Sequence, residues 1–240
     1  MNQQYNRQQQ GFTIVELMLA MAFISLLLIA IAVTVIRIGG TYSKGLTMAS
    51  VNQAGRTIVD DMKRTIGRDR PIDLASSYKT QTIGSNTGGR LCGNDYTYVW
   101  NINKRDDTSG TSDARFINKF DDGKPINLVK VHNRGTNYCI LDAMGDYPAI
   151  KKADTTRLLA EDDPLALYSF NVTQLSQNVV SGRMLYKINM TLNSANNGDV
   201  IELNSMAQCK PPAVDEAYQN YCAVNEFTFT VQAGKTGEGN

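Results

Sequence analysis

"GFTIVELMLAMAFISLLLIAIAVTVI", residues 11–36, decides the architecture of this 240-residue chain. Behind Gly11 an uncharged run opens on Phe12, carries one carboxylate at Glu16, and meets no further charge until Arg37. As a helix, Leu17–Ile36 would extend about 30 Å, the thickness of a bilayer's hydrocarbon core. A buried core helix is rarely apolar all round over such a length. A secretory signal peptide has a basic start, an apolar stretch of about 7–15 residues and a small-residue cleavage site. Here the stretch is longer, and its one A-x-A-like triplet, Ala20–Ala22, falls inside it. Length and composition favour a membrane-spanning helix.

The rest of the chain differs in character. Residues 37–70 hold seven basic and three acidic side chains, and residues 71–240 hold sixteen and nineteen. The net charge of +1 excludes the basicity of a dedicated nucleic-acid binder. Four cysteines, Cys92, Cys139, Cys209 and Cys222, lie in the polar part; their spacing fits no C-x-x-C motif, and His132 is the single histidine. An even number of cysteines beyond a membrane segment points to two disulfides in an oxidising compartment.

Glu16 then needs a reason, because an ionisable group in a membrane is costly and implies a partner. A snorkelling acid at the interface is the plain account. A cation that Glu16 is placed to meet is the sharper one, and none lies within the next twenty residues of its own helix.

Gly11-Phe12-Thr13-Ile14-Val15-Glu16-Leu17 resembles the processing site of type IV prepilins and type II secretion pseudopilins. It has a small residue before the cut, Phe after it, Glu five residues in, and then an unbroken apolar run. The resemblance implies that a membrane prepilin peptidase cuts after Gly11 and that the new amine of Phe12 is methylated. It also implies that Glu16 pairs with the Phe12 amine of a neighbouring subunit, setting the register of assembly in a low dielectric. Residues 1–11 would be a leader peptide. Only Arg7 lies in that leader while Arg37 and Lys44 follow the span, so the positive-inside count alone would place the C-terminal part in the cytoplasm. The family resemblance and the cysteines imply the opposite, a single-pass inner-membrane protein with an extracytoplasmic head.

The helix is expected over 12–67, spanning the membrane to about 36. In "VNQAGRTIVDDMKRTIGRD", Val51, Ala54, Ile58, Met62 and Ile66 form one apolar face, while Arg56–Asp60 and Asp60–Arg64 are i,i+4 pairs. Pro71 ends the pattern. Gly39, Gly40 and Gly45 mark a tolerated weak point, or else a segment that melts as the subunit moves from bilayer to fibre. "GTYSKG" (40–45) imitates a phosphate loop, but Leu46 stands where lysine is required.

Strands are expected at 96–103, 127–133, 167–175, 184–192, 199–206 and 226–232, with a hairpin turn at Asn197-Gly198 and loops over 104–125 (containing the Asp122-Gly123 turn) and 145–164. A long helix followed by a mostly antiparallel sheet is an α+β fold, and the pilin resemblance implies the same for the head, residues 68–240. Such proteins often staple a C-terminal loop, and "KPPAVDEAYQNY" between Cys209 and Cys222 looks similar; Cys92–Cys139 would be the remaining pair, with two other connectivities open. A strand-like run after Cys222 departs from the usual layout.

Chemistry is sparse. No G-x-S-x-G, H-E-x-x-H or intact Walker A sequence occurs, and His132 has no evident nucleophile beside it. Carboxylates at 105–113, 120–123 and 161–164 lack EF-hand spacing and read as solvated loops. Trp100 reads as core, with Tyr96 and Tyr98 alternating beside it and one strand face open as an aromatic edge. The cations Arg56, Lys63, Arg64, Arg68 and Arg70 read as a solvated helix face rather than a nucleic-acid surface. The expectation is a non-enzymatic structural subunit without cofactor or metal, most like a minor pilin of the class that includes the J-type pseudopilins. Its partners would be other pilin subunits, the peptidase, the inner-membrane assembly platform and, before assembly, the lipid bilayer. The alternatives are a type II secretion pseudopilin, separable by genome neighbourhood, and a single-span membrane adhesin in which Phe12 never becomes an N-terminus.

Overall fold

The computed structural model describes residues 12–83, 86–102, 117–142, 145, 147–159, 165–178, 182–194, 201–202, 208–209 and 222–234. Gly11, the 105–113 and 161–164 carboxylates, Asn197-Gly198 and the loop inside Cys209–Cys222 lie outside these. The chain forms two units, Met1–Ser43 and Lys44–Asn240.

Among the described residues a single helix, α1 (Ile14–Arg68), accounts for the regular structure of the first unit and continues into the second. From Phe12 to Gly39 every side chain is exposed, although the run is overwhelmingly apolar. Its two polar side chains between Leu17 and Ile36 turn back on their own helix: Ser25 Oγ donates to the Met21 carbonyl and Thr34 Oγ1 to that of Ala30, each at 2.8 Å. Neither hydroxyl is thereby left for the surroundings to satisfy, as an apolar environment requires. The helix is long and apolar enough to cross a membrane.

Gly39, Gly40 and Gly45 do not interrupt it. Space for a Cβ is open at Gly39 and Gly45, whereas a Cβ on Gly55 would stand 2.0 Å from Phe227 Cζ. Gly39→Ala and Gly45→Ala should each stabilise the helix by about 1 kcal/mol. At Gly55 the same gain is outweighed by an overpacking cost of about 1–3 kcal/mol, because the aromatic ring must move. Amide exchange across 36–48 for the first two, and the denaturation midpoint for Gly55→Ala, measure the opposite signs.

In the second unit Val51, Gly55, Ile58, Met62 and Ile66 are the buried face of α1, with Ala54 half-buried beside them. The Arg56–Asp60–Arg64 spacing forms no ion pair among the described residues. Instead Asp61 accepts from Lys130 Nζ and, at 3.0 Å, from Tyr98 Oη, tying the helix to the sheet. Burial, foremost, holds the Tyr98 phenol protonated well above its ordinary range, so it remains a donor.

The helix stops where Arg70 precedes Pro71 and is driven from α geometry. Asp69, buried, accepts from Asn94 N at 2.8 Å and Asn94 Nδ2 at 2.9 Å, while its carbonyl accepts from Gly234 N at 3.0 Å. A short helix, α2 (Leu74–Ser77), capped by Asp73, leads into the strands.

Five antiparallel strands form one sheet in chain order: β1 (Tyr78–Ile83), β2 (Asn86–Cys92), β3 (Tyr96–Ile102), β4 (Leu128–His132) and β5 (Thr155–Leu159). A second sheet has the order β10 (Val224–Ala233), β7 (Arg183–Ser194), β6 (Leu165–Asn178), and a two-residue pair joins β8 (Ile201–Glu202) to β9 (Gln208–Cys209). In β7, Tyr186, Ile188, Met190 and Leu192 alternate inward, as period-two patterning demands. In β6 a bulge between Leu167 and Ser169 lets both Leu167 and Phe170 face the core. This layout is α+β.

The main core joins the α1 face to Leu91, Tyr98, Trp100, Leu128 and Leu159 of the first sheet and to Phe170, Ile188, Leu192 and Val231 of the second. Three corrections follow for the sequence reading. Residues 155–159, expected as loop, are β5, paired with β4. β1 and β2, not foreseen, form the edge beside Trp100. No aromatic edge is open on β3, because its other face is covered: Cys92, Val99, Phe120, Ile126, Val129, Val131, Tyr138, Cys139 and Ile150 make a second core. The cover is held by buried amides. Asn101 Nδ2 donates to the Asn118 and Ile126 carbonyls at 2.7 and 2.6 Å, and Asn118 Nδ2 to the Trp100 carbonyl at 2.8 Å.

Candidate functional site

The chemistry of the first unit sits in its opening turn. Thr13 precedes Ile14, the first helical residue, and Glu16 follows three residues later. The Glu16 N–H donates to Thr13 Oγ1 at 3.3 Å, while the Thr13 N–H and hydroxyl donate to Glu16 Oε2 at 3.0 and 2.8 Å. This is a reciprocal capping box, T-x-x-E, which satisfies amides that a helix start leaves without partners. The sequence reading missed it, although the signature was legible at 13–16. Glu16 therefore has a partner within its own chain, but only through one oxygen. Among the described residues Oε1 accepts no hydrogen bond and no cation pairs with the carboxylate. A negative charge at a helix N-terminus is favoured by the macrodipole. Phe12, directly before the box, is 84% exposed.

Among the other singled-out residues, the four cysteines form two disulfides, Cys92–Cys139 and Cys209–Cys222, with S–S distances of 2.07 and 2.04 Å. Of the three connectivities four cysteines allow, this one brackets residues 210–221 and, separately, fastens the cover to β2. His132 ends β4, exposed, its Nδ1 accepting from the Arg134 N–H at 3.2 Å and its ring edge-on to Tyr96 at 5.0 Å. Asp122 lies in a turn closed by Gly123 N donating to the Phe120 carbonyl at 3.0 Å, and it pairs with Lys152 at 3.3 Å. The Lys124 amide, foremost, holds its carboxyl below the ordinary range. No three His, Cys, Asp or Glu side chains gather as metal ligands among the described residues. No protein-family model, curated protein or solved structure matches the chain.

Proposed function

We propose that this chain is a filament-forming membrane subunit of the type IV pilin kind, a minor pilin, made with a leader that is cleaved after Gly11 and assembled through the first half of α1. One observation carries the reading: a lone carboxylate in the first turn of α1, whose apolar first half is exposed throughout, capped on one oxygen and, among the described residues, open on the other. An isolated soluble or bilayer-resident helix needs only the cap. A carboxylate with a spare oxygen in a low-dielectric bundle of helices favours one cation over any other neighbour. The amine of Phe12 from an adjacent subunit, created by cleavage after Gly11, supplies that cation. The exposed apolar residues from Ile14 to Ile36 would face lipid before assembly and other copies afterwards. The disulfides favour an extracytoplasmic head.

Intact mass and N-terminal sequencing of protein from its native membrane test the proposal directly. A chain beginning at methylated Phe12 is the expected result; one beginning at Met1 in cells with active peptidase overturns it. A substitution series separates the two roles of Glu16. Glutamine retains the N3 capping acceptor but not the charge. Glu16→Gln and Glu16→Ala should therefore both insert into membrane and both lose incorporation into filaments by tenfold or more, about 1.4 kcal/mol for each factor of ten. Full incorporation of Glu16→Gln would mean that the residue serves only as a cap.

A further inference from the structure

A cavity of about 570 Å³ lies beside β1 and β2, lined by Thr80, Gln81, Arg90, Lys119, Leu141 and Tyr147 among others. That volume is in the range of small-molecule sites. Arg90 sits at its base, 6% exposed. Nε donates to Asn118 Oδ1 at 3.1 Å, and Nη1 to the carbonyls of Tyr138 at 3.0 Å and Pro148 at 3.3 Å. The Tyr147 ring centre lies 4.5 Å from Cζ. Every one of these partners is neutral. The two protons of Nη2 have no acceptor, and no carboxylate pairs with the guanidinium, among the described residues.

Buried charges in proteins are ordinarily paired, because a charge taken from water without an opposite charge is penalised. Burial pushes Arg90 down to about 10, which still leaves it protonated at neutral pH. The second cation, Lys119, is exposed at the same cavity, and no acidic side chain is among the described residues of its lining.

We propose that this cavity is a binding site for a small organic carboxylate, anchored by Arg90 Nη2 and attracted by Lys119. A charge-assisted bond from guanidinium to carboxylate is the strongest polar contact the cavity offers. The volume exceeds that of a bare inorganic anion, and Ile83, Leu141 and the Tyr147 ring provide surface for an organic body, while Thr80 and Gln81 offer hydrogen bonds to its substituents. An acidic sugar and an acylated amino acid share this chemistry. The site is independent of the filament reading, since it lies wholly in the second unit.

Calorimetric titration of the full chain in detergent with sodium glucuronate, with N-acetylalanine, and with the methyl ester of each tests the proposal. Saturable binding of at least one acid is expected, with its ester weaker by about tenfold or more for loss of a charged acceptor. Lys119→Glu should weaken the acid by about threefold, and Ala149→Trp, also at an exposed lining position, should abolish binding by filling the cavity. Both variants leave Arg90 and its carbonyl partners in place, so they report on the site where Arg90→Met could simply unfold the cover. Glucuronate alone binding assigns a sugar, N-acetylalanine alone an amino-acid carboxylate, and both a site that reads only the carboxylate. No saturable binding of either acid, equal binding of acid and ester, or binding unchanged in both variants would overturn the proposal.

Discussion

Trp100→Ala should destabilise the second unit by about 3–5 kcal/mol, the cost of emptying a large aromatic site in a packed core. Trp100 is fully buried, its ring centre 4.3 Å from that of Phe170 and 5.9 Å from that of Tyr78. Its other side rests on Gly89, where a Cβ would stand 2.3 Å from Cζ2. The site is thus closed by two rings and a backbone, none of which can collapse into the space an alanine leaves. Small domains have about 5–15 kcal/mol in total, so much of the margin goes with one side chain. Trp100→Phe should cost far less, about 1 kcal/mol. Nε1 is buried without an acceptor among the described residues, and removing an unsatisfied donor returns part of what the lost volume takes. Chemical denaturation followed by circular dichroism measures both. Trp100 is the only tryptophan, so the wild-type chain also has a single fluorescence reporter of this core. Equal losses for Ala and Phe would mean that the indole N–H is satisfied after all.

The second large effect is expected from Cys92→Ser with Cys139→Ser. This bridge closes 47 residues of sequence, worth about 4 kcal/mol in the chain-entropy account, against about 3 kcal/mol for the 13-residue separation of Cys209–Cys222. The location magnifies the difference. Cys92 ends β2 and Cys139 lies in the cover, both within the second core. Without the bond, that cover is held to the sheet by the Asn101–Asn118 amides, the Arg90 donors and a small apolar cluster. We expect a stability loss of about 2–5 kcal/mol and faster amide exchange at Val99, Val129 and Val131. Exchange along Tyr186–Leu192, in the other sheet, should change only through the global term. A uniform rise in exchange over both sheets would indicate a single cooperative unit in which the bridge has no local role.

The helix was legible almost to its ends: 12–67 expected, Ile14–Arg68 formed. Its apolar face was legible too, except at Gly55, which looks like a gap in the pattern and is in fact the point where Phe227 comes closest. β3, β4, β6, β7 and β10 were marked by alternation and aromatic content. β1, β2 and β5 were not. "NTGGRLC" has the composition of a turn, yet its two glycines are needed in a strand: Gly89 for the Trp100 ring, and Gly88 because a Cβ would stand 2.7 Å from Asn118 Nδ2. Local propensity describes what a residue prefers alone, and these positions answer to neighbours far along the chain. Similarly, T-x-x-E at 13–16 can be read from adjacent residues. Arg90 cannot be singled out, since its burial depends on Asn118, Tyr138 and Pro148, which lie far along the chain.

Hydrophobic content, unbroken over Leu17–Ile36, and the three-and-four spacing after it were enough to dictate a long helix, apolar throughout in its first part and along one face in its second. The capping acid is equally local, because a helix start is completed by residues three apart. The pairing of four cysteines, the burial of both faces of β3, the place of Gly55 and the cavity at Arg90 were decided only when distant segments met. Packing and desolvation act between surfaces, and which surfaces face each other is a property of the folded chain.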